Sequence, residues 1–262
     1  MEWIEALFGT KKPIIAMCHL RALPGDPLFR SDLGMSYIIG QARHDIAALQ
    51  EGGIDGILFS NEFSFPYAQK VEPVTIAAMS RIIGEVLDMI HVPFGIDCMY
   101  DAIASIDIAA AVGASFMRSL IAGIYSSDHG LWNTSPSEIA RRAVHLGIYG
   151  KLKILCSVDP LGFQALKSRE IAEAIRSVAF YIRPDGICIP GSESSKLELP
   201  EHDLPIFCDG GCTHNNIADF LPKTDGAIVG TALKQNGAFE QSIDAARVHS
   251  FMESARSASI IG

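Results

Sequence analysis

Successive short apolar runs in this chain stop at residues able to do chemistry. They end at His19, at Asn61-Glu62, at Asp97, at Arg118, at Asp159, at Gly191-Ser192, at Asp209 and at Gly230-Thr231. His19 is the first acid–base candidate, because an unperturbed imidazole titrates near neutrality. Glu62 and Asp97 could act as bases, or hold a divalent cation through oxygen ligands. Asp159 ends a run in the same way and joins them as a candidate. Arg118 could pair with a carboxylate or with a substrate phosphate, since its planar fork matches either. A salt bridge to Asp97 or Glu62 is its structural alternative, and each polar residue could equally cap a loop. No lysine lies near the C-terminal end of a run: Lys153 opens one and Lys234 lies beyond the last glycine turn. That argues against a Schiff-base aldolase.

The second chemical signal is glycine. Pro205 to Cys208 stops at Asp209-Gly210-Gly211, and Ala227 to Val229 stops at Gly230-Thr231. Glycine lets backbone N–H groups approach a ligand, and a following helix N-terminus adds positive partial charge. Two such turns in succession are expected to hold a phosphate on Gly191, Ser192, Gly210, Gly211, Gly230 and Thr231. Each glycine could instead only close a tight turn.

The elements that must position these groups alternate along the chain. Expected strands are Pro13–Met17, Gly56–Phe59, Pro93–Asp97, Ser115–Arg118, Lys153–Val158, Gly186–Ile189, Pro205–Cys208 and Ala227–Val229. Between them lie helical patterns, with Ile39, Ala42, Ile46 and Leu49 at 3.6-residue spacing, and another face from Ile76 to Ile90. A helix is expected from Asp101 to Val112, one after the Ser135-Pro136-Ser137-Glu138 capping box, one over Ser168–Phe180 and a last one over Ser242–Ala255. Thr213 is read as the cap of a turn of helix carrying Ile217 and Phe220. The loop from Ser119 to Thr134, with Asp128-His129 and Trp132, is long enough for a lid. The fold class is α/β, a single (β/α)8 barrel with parallel strands over residues 1–262, with residues 1–12 a leading helix closing its bottom. An open doubly wound sheet would need a G-x-G-x-x-G after the first strand, and none is present.

Composition agrees. The chain has 262 residues, 48% of them hydrophobic, where one such barrel takes roughly 250. The apolar excess suits strands buried on both faces and could also cover a homo-oligomer interface. The net charge is −9, the isoelectric point about 5.3 and the mean hydropathy +0.24, which argues against nucleic acid as a partner. No apolar run approaches the roughly 18 residues of a membrane span, and MEWIEALFG lacks the basic region of a signal peptide. The expected location is cytoplasmic. The six cysteines, Cys18, Cys98, Cys156, Cys188, Cys208 and Cys212, read as small buried hydrophobes. Cys208-x3-Cys212 with His214 could suggest zinc, but the spacing is not that of a standard knuckle. No cofactor is required by the sequence, and a divalent metal ion stays open.

Ile15-Ala16-Met17-Cys18-His19-Leu20 followed by Ala22-Leu23-Pro24-Gly25-Asp26-Pro27 resembles the first strand and loop of the BtpA family. Gly52 to Gly56, Ala111 to Arg118, Asp128-His129-Gly130 and Asp225 to Thr231 with Lys234 are similar to it as well. The resemblance implies a TIM barrel with a phosphate-type site. The family is named for a factor needed to accumulate photosystem I, and other members are bacterial proteins found with sugar-uptake functions. Departures fall at the mouth: Asp97 stands where the family has asparagine, and Ser157 where it has aspartate. Asp209-Gly210-Gly211 stands in place of Gly-Ser-Gly, and Asn61-Glu62-Phe63-Ser64 in place of an Asn-Phe-Gly-Asp type loop. Residues and resemblance together lead to an enzyme of a small phosphorylated ligand, a sugar phosphate first among them. It would use acid–base chemistry through His19, Glu62 and Asp97. A non-enzymatic assembly factor, using the barrel as a scaffold, is the alternative.

Overall fold

The computed structural model describes residues 2–191 and 204–261. Ser192 lies outside the described residues. Eight parallel strands close a barrel: β1 (Ile14–His19), β2 (Gly56–Ser60), β3 (Phe94–Asp97), β4 (Phe116–Ser119), β7 (Lys153–Ser157), β9 (Gly186–Ile189), β10 (Ile206–Asp209) and β11 (Gly226–Val229). Pairing of Ile14 with Ala227 through Ala16 with Val229 shuts the ring between first and last strand. Helices α1 (Glu2–Phe8), α2 (Gly34–Glu51), α3 (Pro73–Gly84), α4 (Ala102–Val112), α5 (Pro136–His145) and α6 (Ile171–Tyr181) are followed by a single-turn helix at Ile217–Phe220 and a C-terminal helix at Ala245–Ile261.

The two-residue period of a strand sorts the side chains. Met17, Leu58, Phe116, Leu155, Phe207 and Ile228 point inward and pack as one cluster with Ile4 and Phe8 of α1. Ala16, Cys18, Phe59, Ile96, Met117 and Cys156 point outward, into the larger core under the helices. Phe116 fills the axis so fully that a Cβ on the facing Gly95 would lie 2.4 Å from its ring. One step toward the C-terminal end of each strand, the same inward register presents His19, Asp97, Arg118, Ser157, Asp209 and Gly230. The apolar layers below are therefore what aim these groups at the barrel axis.

Several local readings change. The 119–134 stretch is not a plain loop. It carries β5 (Ile124–Ser127) and β6 (Gly130–Asn133), a hairpin that joins β8 (Phe163–Ala165) in a separate three-stranded antiparallel sheet. Its four-residue strands alternate too briefly to register as a pattern, and its tight turn uses Gly130 at φ 103°. The Ser135 side chain makes no capping bond, so the capping box is one in sequence only. Asp101 does cap α4, its Oδ1 accepting from the Ile103 and Ala104 amides at 3.1 and 3.0 Å. The helical pattern that runs on to Ile90 breaks after Gly84, and a 3-10 turn at Leu87–Met89 replaces the last turn.

Candidate active site at the barrel mouth

A cavity of about 830 Å³ opens at the C-terminal ends of the strands. His19, Glu62, Asp97, Arg118, Gly210, Gly211, Gly230 and Thr231 all line it, together with Asp209. Two of the expected residues stand apart. Asp159, at φ 46°, is not among the lining residues. Gly191 is not either; its amide donates to the Gly210 carbonyl at 3.1 Å and so ties one glycine turn to the next.

Arg118 crosses the mouth. Its Nε donates to Asp97 Oδ2 at 3.1 Å, and Nη2 donates to the same oxygen and, at 3.7 Å, toward Met99 Sδ. Nη1 reaches both Asp209 oxygens at 2.6 Å. A guanidinium has five N–H donors, and these contacts use all of them. Burial opposes the charge on Arg118, but Asp209 and Asp97 outweigh it and hold the group well above its ordinary value. Burial pushes the Asp97 carboxyl up while Arg118 pulls it back. The salt-bridge alternative for Arg118 is thus realised, with a second acceptor from the far side of the barrel.

His19 is the opposite case. It is 6% exposed, and neither ring nitrogen has a hydrogen-bond partner among the described residues. Its ring lies 5.6 Å from that of Phe239, and a Cβ at Gly230 would come within 2.9 Å of Nε2. Burial, then the charges of Lys234, Arg118 and Arg21, pull its pKa well below the ordinary value. The imidazole is neutral at physiological pH. Glu62 lines the same cavity; burial raises its carboxyl, Arg118 opposes that, and Asp97 and Asp209 add to it. Ser60 Oγ donates to Glu62 Oε2 at 2.9 Å.

Sequence reasoning gave no role near the mouth to Lys234, Tyr100, Phe239 or Arg247. Lys234 is 1% exposed. Its ammonium donates to the Phe239 carbonyl and lies 5.0 and 4.8 Å from the Phe63 and Phe239 ring centroids. Burial and Arg21 lower its pKa to about 8, against the pull of Asp45 and Glu62. Phe239 and Tyr100 wall the cavity, and the Phe63 ring, on the loop after β2, packs on Phe239 at 4.7 Å. Arg247 lines the glycine end, its guanidinium donating to the Ala232 carbonyl at 3.2 and 3.1 Å. These side chains come from loops and a helix end, where no period marks them.

The first glycine turn is left-handed, but no helix N-terminus follows it directly. Gly210 and Gly211 have φ of 81° and 76°, a left-handed backbone that other residues rarely adopt. Gly230 precedes the 3-10 turn Thr231–Leu233, whose first amides have no partner within the turn. Thr213 is not a helix cap: its amide donates to Asn216 Oδ1 at 2.6 Å, and the helix starts only at Ile217. The Cys208 and Cys212 sulfurs lie 2.9 Å apart with no disulfide between them, and His214 Nε2 meets Ser254 Oγ at 3.1 Å. Among the described residues no group of three or more His, Cys, Asp or Glu is arranged to hold a metal ion. Nor is any described helix long and apolar enough to cross a membrane.

A closed parallel barrel with its polar residues gathered at the strand C-termini defines a TIM barrel, and solved structures agree. Dihydropteroate synthase from Clostridium difficile superposes with a TM-score of 0.63 at 12% identity, covering 97% of this chain and 98% of that one. The BtpA family model matches residues 10–257, and the chain belongs to that family. It is 40% identical over 262 residues to the sgc region protein SgcQ of Escherichia coli K12, covering 97% of both chains. It is 29% identical over 258 residues to the photosystem I biogenesis protein BtpA of Synechocystis, covering 94% of this chain and 88% of that one.

Proposed function

We propose that the barrel mouth is the active site of an enzyme acting on a small phosphorylated metabolite, a sugar phosphate first among the candidates. The observation that carries the reading is His19: a buried imidazole, neutral and without a protein partner, facing a cavity beside two glycine turns. A buried polar group left unpaired costs about 1–3 kcal/mol. A ligand hydroxyl or carbonyl would satisfy it. The phosphate would lie on the amides of Gly210, Gly211, Gly230 and Thr231, with Arg247 at the rim, as at the last two strands of other barrels. His19 and Glu62 would exchange protons with the ligand, the neutral ring accepting at one nitrogen. Asp97, fixed by Arg118, would supply acceptor oxygens rather than a mobile proton.

The test is thermal shift with sugar phosphates, on wild type and on Gly230→Val. A ligand at about 100 times Kd adds roughly 2.7 kcal/mol of stability. The valine places a branched side chain against His19 Nε2 and the turn amides, so the response should vanish while the variant stays folded. An unchanged response in Gly230→Val overturns the site.

A further inference from the structure

We propose that the ligand of this cavity carries one anionic group, held at the glycine rim, and that its buried end is hydroxylated and uncharged: an aldose or ketose monophosphate, not a phosphorylated sugar acid or a bisphosphate. The inference rests on the phosphate site proposed above and deepens it.

Asp97, Arg118, Asp209 and Glu62 form the charged part of the cavity floor, beside apolar Met17, Cys188 and Ile228. Arg118 is its one cation, and its donors are taken by Asp97, Asp209 and Met99. An incoming carboxylate would therefore find no free fork to pair with. Other cations nearby point elsewhere: Lys234 toward the Phe239 carbonyl, Arg21 toward the Glu240 carbonyl at 2.8 Å. Two carboxylates around one guanidinium leave the floor with net negative charge even before Glu62 is counted. A second anion would be repelled there and would strip water from groups unable to replace it.

Hydroxyl groups meet the opposite situation. The floor offers carboxylate oxygens, and His19, beside Gly230, offers the one lone-pair nitrogen of its neutral ring, all of which can accept from an O–H donor. At the rim the arrangement inverts, with backbone amides and Arg247 suited to a phosphate. One end of the cavity is donor-rich and the other acceptor-rich, and that polarity sets the orientation of the ligand as well as its class.

The experiment is calorimetric titration of the full chain with inorganic phosphate, a set of five- and six-carbon aldose and ketose monophosphates, 6-phosphogluconate and fructose 1,6-bisphosphate. The expected result is that at least one monophosphate binds tenfold or more tighter than 6-phosphogluconate and the bisphosphate, and that inorganic phosphate competes with it. The Asp209→Ala variant frees both Nη1 donors of Arg118, and its affinity for 6-phosphogluconate should rise tenfold or more. If that variant does not fold, the wild-type titrations decide alone. Equal or tighter binding of 6-phosphogluconate or of the bisphosphate overturns the inference and leaves the phosphate site standing. So does phosphate binding with no gain from any hydroxylated tail. No heat from any compound, phosphate included, overturns the phosphate site, and this inference falls with it.

Discussion

Arg118 and His19 are both buried ionisable residues at the end of an inward-facing strand register, and the protein treats them in opposite ways. Around Arg118 every donor has an acceptor; around His19 no ring nitrogen has a partner among the described residues. A saturated network holds the shape of the mouth, because breaking it leaves charges buried and alone. An unpaired imidazole has no such structural use. Its neighbours only desolvate it and keep it neutral, which suits a group waiting for a ligand. The difference separates residues that frame the site from residues that act in it, a distinction that position on a strand cannot make.

The hardest strike on this contrast is Arg118→Met. It strands the buried Asp97 carboxylate, and urea unfolding should show a loss of about 3–5 kcal/mol. A loss under 1 kcal/mol would mean that the ion network frames nothing. His19→Asn should do the reverse. Once a substrate is in hand, turnover should drop roughly a hundredfold, as removal of a general acid or base does, while the melting temperature stays within a few degrees of wild type. Retained turnover with a collapsed melting temperature would place His19 with the framing residues and favour the non-enzymatic alternative.

Asp97→Asn is intermediate. It weakens hydrogen bonds to a charged donor but keeps Asp209 in place, so about 1.5–3 kcal/mol of stability should be lost. If the loss matches that of Arg118→Met, Asp209 contributes nothing to the bridge. The smallest effect is a pH dependence. Because the folded-state pKa of His19 is depressed, the unfolded chain takes up a proton below pH about 6.5 that the folded chain does not. Stability present above that pH is lost as the pH falls. Between pH 7 and 5.5 wild type should lose on the order of 1 kcal/mol more than His19→Asn. Glu62 and Asp97, with raised pKa values, act in the opposite direction but equally in both proteins. Parallel stability curves for the two would show that His19 titrates freely.

Much of the scaffold was legible because parallel barrel strands are apolar on both faces and end abruptly. Gly186–Ile189 emerges with the expected bounds, and Gly56–Phe59 is extended by one residue, Ser60. The ends of those runs also named part of the lining, His19, Glu62, Asp97 and Arg118 among it. What stayed hidden is pairing across the ring. Arg118 could be matched with Asp97 or Glu62 as candidates on neighbouring strands, but Asp209 lies 91 residues further on, and no local pattern carries that distance. Phe239 and Arg247 were missed for another reason: Phe239 sits on irregular backbone and Arg247 in the first turn of the C-terminal helix, and tertiary contact alone brings either to the mouth. Asp159 is the converse case. It ends an apolar run like the others, yet the chain turns with a positive φ there and Asp159 is not part of the cavity lining.

The Arg118 bridge also bears on how the barrel is assembled. Asp97 precedes Arg118 in the chain and is available at once, whereas Asp209 arrives only on β10, after β7 has been laid down beside β4 and β9 beside β7. A chain emerging from synthesis and folded no further than β9 holds a buried guanidinium with one of its two carboxylates missing. Such a half-built ring is penalised by an uncompensated charge, and the penalty disappears only when β10 docks. Closure thus becomes cooperative across 91 residues, and the same arginine that frames the mouth disfavours any product that stops short of the full circle.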